Sequence, residues 1–299
     1  MPEYYGIQKG YPRLQRRFGR LVAYIQLLRV FTLFAPILSG LLGVLTPVKE
    51  VTFAHITIAI FAGVTLALLQ GAGQVINQWS DLELDKLARP YRPLPSGAVS
   101  RDEALGLAWL LAIFAVGRAF TVTVTFGLFT LVLLFFSVFY SLAPFSPRKV
   151  NSFLNNAWMA ISRGFLPFLA VLSVYGKMED ALPWAVFGFL WVFAFQPFKD
   201  TSDSEADKKF GIKTFFTSFG ERGAIRIIRV SSAIVVAYIM MLAYYDRTYL
   251  VFLLLVPLII IADITGLKSM KILENNRGWV CFYLGLSFMY ILVFIANHI

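Results

Sequence analysis

The chain has little charge and almost no cysteine or histidine. Of its 299 residues, 15% are charged and 58% are apolar, whereas a water-soluble domain has about a quarter charged and about 45–50% apolar residues. This composition leaves too little polar surface for a protein of this size in water and indicates a membrane protein. The single cysteine, Cys281, excludes an intramolecular disulfide framework or a thiolate metal cluster within one chain. The two histidines, His55 and His298, are too far apart in sequence to indicate a local zinc motif.

The sequence is rich instead in long apolar stretches. A helix that crosses about 30 Å of hydrocarbon needs roughly 20 apolar residues. The sequence predicts nine such spans, of which the third and fourth run together: 21–46, 52–78, 104–121, 122–142, 153–175, 182–199, 223–244, 249–268 and 278–297. We therefore expect an all-α membrane protein with nine transmembrane helices. Residues 1–20 are expected to form a basic cytoplasmic tail, and residues 21–299 a single transmembrane domain.

Basic residues are concentrated in alternate loops. Lysine and arginine cluster before span 1 and after spans 2, 4, 6 and 8, while the other loops hold little beyond Lys49, Lys177 and Arg247. Basic loops face the cytoplasm, so this pattern predicts a cytoplasmic N-terminus and a C-terminus outside. The net charge of +10 is thus first an indication of orientation, and no nucleic-acid partner is expected.

Two of the cytoplasmic loops share an acidic motif. The pattern D-x-E-x-D-K occurs at 81–86 and again 122 residues later at 203–208. Each copy follows an even-numbered span, and the four spans between them indicate a weak parallel internal repeat. Because residues four apart share a helix face, each copy forms a polar ridge. The ridges comprise Asn77, Asp81 and Asp85 in the first copy, and Asp200, Asp203 and Asp207 in the second.

The paired carboxylates predict a magnesium site. Two carboxylates on one helix face repel each other unless a cation lies between them, and Mg²⁺ is commonly held by one or two carboxylates plus substrate phosphates. One copy alone is explained by a solvated helix end with its own salt bridges, but two copies at this offset favour a binding site. Two facing ridges could hold a diphosphate through bridging metal ions, and nearby basic residues would neutralise the remaining charge. Glu83 and Glu205 lie off the aspartate face and are expected to be structural, whereas Asn77 needs a partner in its apolar surroundings.

These motifs resemble a known family. N-x3-D-x3-D after span 2 and D-x2-D-x3-D after span 6 resemble the two signature motifs of the UbiA superfamily of intramembrane prenyltransferases. The resemblance covers about residues 24–220 well and the last three spans only by hydropathy. Further matches are Leu27-Leu-Arg29, Arg89-Pro-Tyr-Arg-Pro-Leu-Pro-Ser-Gly97, Tyr140-Ser-x-x-Pro144 with Arg148-Lys149, and Phe210-Gly-Ile-Lys-Thr214.

The resemblance implies a fold and a reaction. The helices would surround a central cavity open to lipid, with both aspartate motifs at its cytoplasmic mouth. Mg²⁺, in two ions, would bind an isoprenoid diphosphate and promote loss of pyrophosphate, and the allylic cation would alkylate a lipophilic acceptor in the lipid bilayer. The implied metal ligands are Asn77, Asp81, Asp85, Asp200, Asp203 and Asp207, of which Asp81, Asp85, Asp203 and Asp207 are the expected catalytic residues. The expected diphosphate contacts are Arg29, Arg89, Arg92, Lys149 and Lys208.

Subfamily features are mixed. Gln78 stands where the common motif has aspartate, so we expect a metal there to be held more loosely or only with substrate. Asn77-Gln78 and Lys199-Asp200 are similar to homogentisate-type enzymes. The run 89–97 is similar to chlorophyll synthases and archaeal ether-lipid prenyltransferases.

Arg163 is the candidate acceptor-binding residue. An arginine in the middle of a span is costly and is functional by default, although a structural ion pair remains an alternative. Because a guanidinium favours planar anions, we predict an acceptor with an aromatic carboxylate or phenolate. The alternatives are geranylgeranyl transfer to a glyceryl phosphate ether lipid or to a chlorophyllide-type acceptor.

Two classes of non-enzyme are the competing interpretations. Nine spans, intramembrane charge and an internal repeat are compatible with a membrane transporter, but the acidic pairs lie at a membrane edge rather than near the midplane. A structural or assembly protein that retains the fold is the other class, for which Gln78 is the only indication.

Overall fold

The chain is a bundle of α-helices. The computed structural model describes residues 12–201, 204–266 and 277–298, and this part contains no strand. The helices of the first half are α1 (Pro12–Leu28), α2 (Phe34–Leu38), α3 (Phe53–Ser80), α4 (Leu82–Ala88), α5 (Arg101–Val122), α6 (Val124–Phe139) and α7 (Pro147–Val150). Those of the second half are α8 (Ser152–Ala160), α9 (Leu166–Leu172), α10 (Met178–Phe195), α11 (Ser204–Lys209), α12 (Phe215–Tyr245), α13 (Val256–Ile261) and α14 (Arg277–Ala296). Short 3₁₀ segments occupy Val30–Leu33, Gln196–Thr201 and Arg247–Leu255, and π-helical turns occupy Ser39–Gly43, Ile161–Phe165 and Ala262–Gly266.

Six segments of the described chain are long and apolar enough to cross a membrane. They are Phe53–Ser80, Arg101–Val122, Met178–Asp200, Phe215–Tyr245, Arg247–Thr265 and Arg277–Ala296. The pair Gly19–Leu28 and Val30–Gly43, bent by 45°, makes a seventh if it counts as one span. The all-helical prediction is confirmed, but the count of nine is not established. Predicted span 122–142 is the 16-residue helix α6, and span 153–175 is a helical segment interrupted by the π turn Ile161–Phe165.

Polar residues at the helix starts set the boundaries that hydropathy left indistinct. Thr123 is extended (φ −153°, ψ 159°) and separates α5 from α6, and its hydroxyl accepts a hydrogen bond from the backbone N–H of Phe126. Ser100 caps α5 in a reciprocal arrangement with Glu103. Such caps satisfy the free N–H groups of a first turn. The single extended residue between α5 and α6 explains why the third and fourth apolar stretches have no gap between them in the sequence.

Small residues bring the helices close together. One face of α5 carries a row of fully buried alanines, and α5 packs along α3: Ala104, Ala108, Ala112, Ala115 and Ala119. Close approach through small side chains gains van der Waals contact, which drives helix association in lipid. Helices α10 and α14 are the most buried of the long helices and lie at the centre of the bundle.

The two acidic motifs meet at one end of the bundle. The short helices α4 and α11 follow α3 and the 3₁₀ segment Gln196–Thr201, and they pack against each other. Each carries part of one D-x-E-x-D-K motif. Residues that are far apart in the sequence are therefore neighbours around one opening.

Candidate active site

The opening between the two acidic motifs is a polar mouth. Among the described residues, its lining includes four carboxylates (Asp81, Asp85, Asp200 and Asp207) and five basic side chains (Arg29, Arg89, Arg92, Arg148 and Lys199). The rest of the lining is Asn77, Leu84, Tyr140, Ile212 and Thr214. Asp203 lies outside the described residues. The charges of the described side chains nearly cancel, so the mouth has no large excess of either sign.

Asp81 is bound from two sides. Arg148 donates from both terminal nitrogens to the carboxylate, with 2.6 Å between Nη1 and Oδ2. Asn77 Nδ2 donates to Asp81 Oδ2 at 2.9 Å and to Ser141 Oγ at 3.0 Å. The partner expected for Asn77 is therefore present. Burial lowers the pKa of Arg148, but the hydrogen bonds and charge of Asp81 outweigh this and raise the pKa above its ordinary value, so Arg148 remains a cation.

Asp85 is the most deeply buried charge at the mouth. Its side chain is 1% exposed, and Arg92 Nη1 lies 2.9 and 2.8 Å from its two oxygens. Arg89 Nη1 adds a longer contact of 3.5 Å to Oδ1. A buried carboxylate needs such partners to offset its lost hydration. The run Arg-Pro-Tyr-Arg therefore folds back over the motif that precedes it.

The second motif is held in place by the loop that follows it. Asp207 is buried, and its carbonyl accepts from the backbone N–H of Ile212 at 2.8 Å. Gly211 between them has φ +70°, a conformation that favours glycine. The backbone N–H of Lys213 then donates to the Arg148 carbonyl at 2.6 Å. This bond joins the loop after the second motif to the residue that binds Asp81 of the first motif.

The mouth leads into the bundle through a neck. Asn77, Tyr140 and Lys199 line both the mouth and the neck. The neck in turn shares Gln70, Ser137, Ser162 and Arg163 with a deeper cavity. The deeper cavity is mainly apolar, with lining from Leu66, Leu69, Leu133, Phe282, Leu286 and Tyr290 among others. A charged mouth therefore continues into an apolar chamber, which suits a molecule with an anionic head and a hydrocarbon chain.

Arg163 lies where the neck joins the apolar cavity. It belongs to the π-helical turn Ile161–Phe165, and its Nη1 lies 3.3 Å from the Tyr283 hydroxyl. The next residue, Gly164, packs directly on α10, because a Cβ there would lie 2.2 Å from the Gly188 carbonyl oxygen. Single π turns are frequent at functional sites. The intramembrane arginine thus faces a cavity.

Not all predicted residues lie in the mouth. Lys149 and Lys208 are exposed and do not line it, so their contact with a diphosphate stays a prediction. Glu83 is exposed and pairs with Lys86 at 2.7 Å, in keeping with its structural interpretation. Gln78 is buried and its Nε2 donates to the Leu27 carbonyl at 2.7 Å, away from the aspartates.

Sequence reasoning missed three residues of the mouth: Arg148, Lys199 and Tyr140. The pair Arg148-Lys149 belongs to the motif match, but nothing in the sequence shows that Arg148, and not Lys149, faces inward. The Arg148 guanidinium lies 5.5 Å from the centre of the Tyr140 ring. Tyr140 and Lys199 lie within the short motifs that carry the family resemblance, and this position was the signal that could have identified them.

The oxygen donors of the mouth are of the kind that fits a magnesium ion. Carboxylate and amide oxygens are the ligands that Mg²⁺ prefers. Among residues 12–201, 204–266 and 277–298, however, no three histidine, cysteine or acidic side chains are grouped closely enough to hold a metal ion by themselves. Asp81 and Asp85 are bound to arginines instead. The described side chains thus offer suitable oxygens whose present partners are guanidinium groups.

Comparison with known proteins identifies the family. The profile of the UbiA prenyltransferase family matches residues 33–294. A digeranylgeranylglyceryl phosphate synthase of Thermococcus gammatolerans is 33% identical over 68% of this chain and 71% of its own length. One from Saccharolobus solfataricus is 24% identical over 81% of this chain and 84% of its own length.

Solved structures share the fold. A UbiA homolog from Archaeoglobus fulgidus bound to GPP and Mg²⁺ has a TM-score of 0.71 and 21% identity, covering 93% of this chain and 100% of that one. A UbiA homolog from Aeropyrum pernix has a TM-score of 0.69 and 20% identity, covering 89% of this chain and 96% of that one. The prediction of a prenyltransferase, rather than a transporter or an assembly protein, is confirmed. The chain belongs to the UbiA prenyltransferase family and is a multi-pass membrane prenyltransferase.

Proposed function

We propose that this enzyme transfers a geranylgeranyl group from its diphosphate to a glyceryl phosphate that already carries one ether-linked chain. The observation that carries the proposal is a series of three adjoining pockets with shared lining residues, from a charged mouth, past Arg163, to an apolar cavity. The relatives named as digeranylgeranylglyceryl phosphate synthases support this acceptor. They favour the glyceryl phosphate alternative over the aromatic acceptor that the sequence first suggested.

The reaction consists of one bond exchange. The free hydroxyl oxygen of the acceptor forms an ether bond to the first prenyl carbon, and the bond from that carbon to the diphosphate oxygen breaks. The electron pair leaves with pyrophosphate, and the hydroxyl proton passes to pyrophosphate or water. Cationic character on the prenyl carbon is stabilised by the faces of aromatic rings, which Phe136 and Tyr140 supply in the neck.

The mouth binds the diphosphate. Arg29, Arg89, Arg92, Arg148 and Lys199 supply the positive side chains that contact phosphate oxygens. We assign Lys149 and Lys208, exposed at the same end, only a longer-range attraction for the anion. Guanidinium groups that now bind Asp81 and Asp85 can turn to phosphate when the substrate arrives, because each has more donors than one carboxylate uses.

We propose that Mg²⁺, in two ions, binds together with the diphosphate. The Archaeoglobus fulgidus homolog bound to GPP and Mg²⁺ supports the choice of metal and of diphosphate ligand. The ligands would come from Asn77, Asp81 and Asp85 of the first motif and Asp200, Asp203 and Asp207 of the second. When bound, the metal neutralises phosphate charge and makes pyrophosphate a better leaving group. Gln78 is not assigned to this site, because it does not line the mouth and its Nε2 donates to the Leu27 carbonyl.

Arg163 is proposed to bind the acceptor phosphate. It lies at the inner end of the neck, where a polar head can meet the reacting carbon while the ether-linked chain lies in the apolar cavity. We keep the remaining sequence predictions as proposals: nine spans around a cavity open to lipid, one domain over 21–299 after a basic tail, a cytoplasmic N-terminus and mouth, and a C-terminus outside.

The test is acceptor competition. Purified enzyme with Mg²⁺ and geranylgeranyl diphosphate receives an equimolar mixture of geranylgeranylglyceryl phosphate, homogentisate and a chlorophyllide, and products are identified by mass spectrometry. We expect the doubly prenylated glyceryl phosphate as the main product. We also expect Arg163→Met to raise the acceptor KM while the diphosphate KM stays nearly fixed. Prenylation of homogentisate alone would restore the aromatic acceptor, and an unchanged acceptor KM would remove Arg163 from the acceptor site.

A further inference from the structure

The first membrane helix is broken at Arg29. Helix α1 ends at Leu28, and a 3₁₀ turn begins at Val30. Between them Arg29 has φ 51° and ψ 59°, the left-handed conformation that residues with a side chain rarely adopt. Such a conformation costs free energy and is kept only where contacts with the surrounding structure stabilise it. Residues in such conformations cluster at ligand sites. The groups that hold Arg29 in this conformation therefore also determine where its guanidinium lies in the mouth.

Gln78 supports the end of α1 just before the break. Its side chain is buried, and Nε2 donates to the Leu27 carbonyl at 2.7 Å and to the Gln74 carbonyl at 3.1 Å. Carbonyls in the last turn of a helix lose their intrahelical partners. An amide can satisfy such a carbonyl because it donates, whereas a carboxylate at the same position cannot. The need for a hydrogen-bond donor to the Leu27 carbonyl therefore explains why position 78 is glutamine and not aspartate.

Gln74, one turn earlier on α3, contacts Arg29 and the segment after it. Its Oε1 lies 3.4 Å from Arg29 Nη1, and its Nε2 lies 3.4 Å from the Thr32 hydroxyl. The Thr32 hydroxyl in turn donates to the Arg29 carbonyl at 2.9 Å. Gln74 is also buried. The two glutamines thus hold the chain before the break, the side chain at the break and the turn after it.

We propose that Gln74 and Gln78 are positioning residues that fix Arg29 towards the diphosphate. Gln78 lines neither the mouth nor the neck, whereas Gln74 lines the neck and contacts Arg29 directly. Both are proposed to act by setting the direction of a guanidinium that lines the mouth. The inference rests on the proposed role of Arg29 in diphosphate binding. Gln78, which stands where the common motif has aspartate, then affects the affinity for the diphosphate through α1 and does not weaken a metal site.

The experiment is a double-mutant cycle. Four enzymes are compared at saturating acceptor and Mg²⁺: wild type, Gln78→Leu, Arg29→Met and the double variant. Leucine has a side chain of similar size but cannot donate a hydrogen bond. One lost hydrogen bond predicts a rise of about ten-fold in the geranylgeranyl diphosphate KM of Gln78→Leu, with the acceptor KM unchanged. In the Arg29→Met background the same substitution should add no further rise.

A matched control separates positioning from general loosening. Asn156 is also a buried amide, and its Nδ2 donates to the Phe193 carbonyl of another helix at 2.7 Å, outside the lining of the mouth. Asn156→Leu should lower thermal stability while leaving the diphosphate KM near that of wild type. If Gln78→Leu does not fold, Gln74→Leu takes its place in the cycle. Because Gln74 also lines the neck, a rise in the diphosphate KM that persists in the Arg29→Met background would indicate direct substrate contact and overturn the positioning role.

The outcomes point to different conclusions. If Arg29→Met leaves the diphosphate KM unchanged, the proposed diphosphate role of Arg29 is wrong and the inference falls with it. If Arg29→Met raises the KM but the glutamine variants do not, positioning by the glutamines is wrong and the role of Arg29 stands. Additive effects in the double variant, or an equal rise in Asn156→Leu, would likewise overturn the positioning role alone.

Discussion

Neutralising Asp81 should affect stability and catalysis for separable reasons. Arg148 is 7% exposed at its side chain, and its terminal nitrogens are committed to Asp81. Asp81→Asn keeps the size of the side chain but leaves this guanidinium without its counter-charge. Removing one partner of a buried ion pair costs about 3–5 kcal/mol. Because the Asp81 side chain is 15% exposed and water at the mouth can compensate in part, we expect about 3 kcal/mol.

A second variant distinguishes folding from function. Replacing both partners with uncharged groups removes the uncompensated charge and is often close to neutral. The double variant Asp81→Asn/Arg148→Met should therefore recover most of the lost stability. Turnover should not recover, because the carboxylate at position 81 is still missing and the proposed diphosphate contact of Arg148 is lost as well. Loss of one charge-stabilising group in an active site costs about a hundred-fold or more in rate.

The matched control is Glu83→Gln, two residues away in the same motif. Glu83 and Lys86 are 70% and 51% exposed at their side chains, and an exposed pair at this spacing contributes about 0.2–0.5 kcal/mol. Pyrophosphate release measures turnover, and denaturant unfolding in detergent measures stability. If the double variant regained turnover together with stability, Asp81 would serve only as the counter-ion of Arg148. If Glu83→Gln were as damaging as Asp81→Asn, the assignment of the aspartate face would be wrong.

Three further predictions follow from the mouth, the cavity and the loops. Because the mouth is almost neutral without ligand, Mg²⁺ and inorganic pyrophosphate should each raise the other's affinity by the same factor in calorimetric titrations; equal Mg²⁺ affinity with and without pyrophosphate would contradict this. Leu286→Trp, which fills part of the apolar cavity, should lower kcat/KM for geranylgeranyl diphosphate more than for dimethylallyl diphosphate, and an equal loss for both would place the chain elsewhere. In a Cys281→Ala background, Lys177→Cys and Lys209→Cys should be labelled from opposite sides of the membrane, since both positions are exposed and lie between predicted spans on opposite sides; labelling from one side would contradict the nine-span topology.

Local spacing explains what the sequence could predict about the site. Asn77, Asp81 and Asp85 are four residues apart, and the backbone bonds from Asp81 to Asn77 and from Asp85 to Asp81 keep helical spacing across the junction of α3 and α4. One step along a helix turns the side chain by about 100°. For that reason Gln78, next to Asn77, faces α1 instead of the aspartates, although the common family motif has an aspartate at this position.

Long-range contacts explain what it could not predict. Arg148 binds Asp81 across 67 residues of sequence, and no local pattern distinguishes it from Lys149. The break at Arg29 was also invisible, because Leu-Leu-Arg-Val-Phe reads as continuous apolar helix. Hydropathy located the apolar stretches, but it could not show that π-helical and 3₁₀ turns interrupt several of them. Hydropathy therefore predicted where the apolar helical segments lie better than it predicted how many membrane spans they form.

The most direct test of the central claim is a structure of the enzyme with Mg²⁺ and a non-cleavable geranylgeranyl diphosphate analogue. We predict the diphosphate between α4 and α11, bound by Arg29 and by arginines that have moved from Asp81 and Asp85. The prenyl chain should run through the neck, past Tyr140 and Arg163, into the cavity beneath Leu286. A diphosphate bound away from the two aspartate motifs, or a prenyl chain outside this cavity, would contradict the account.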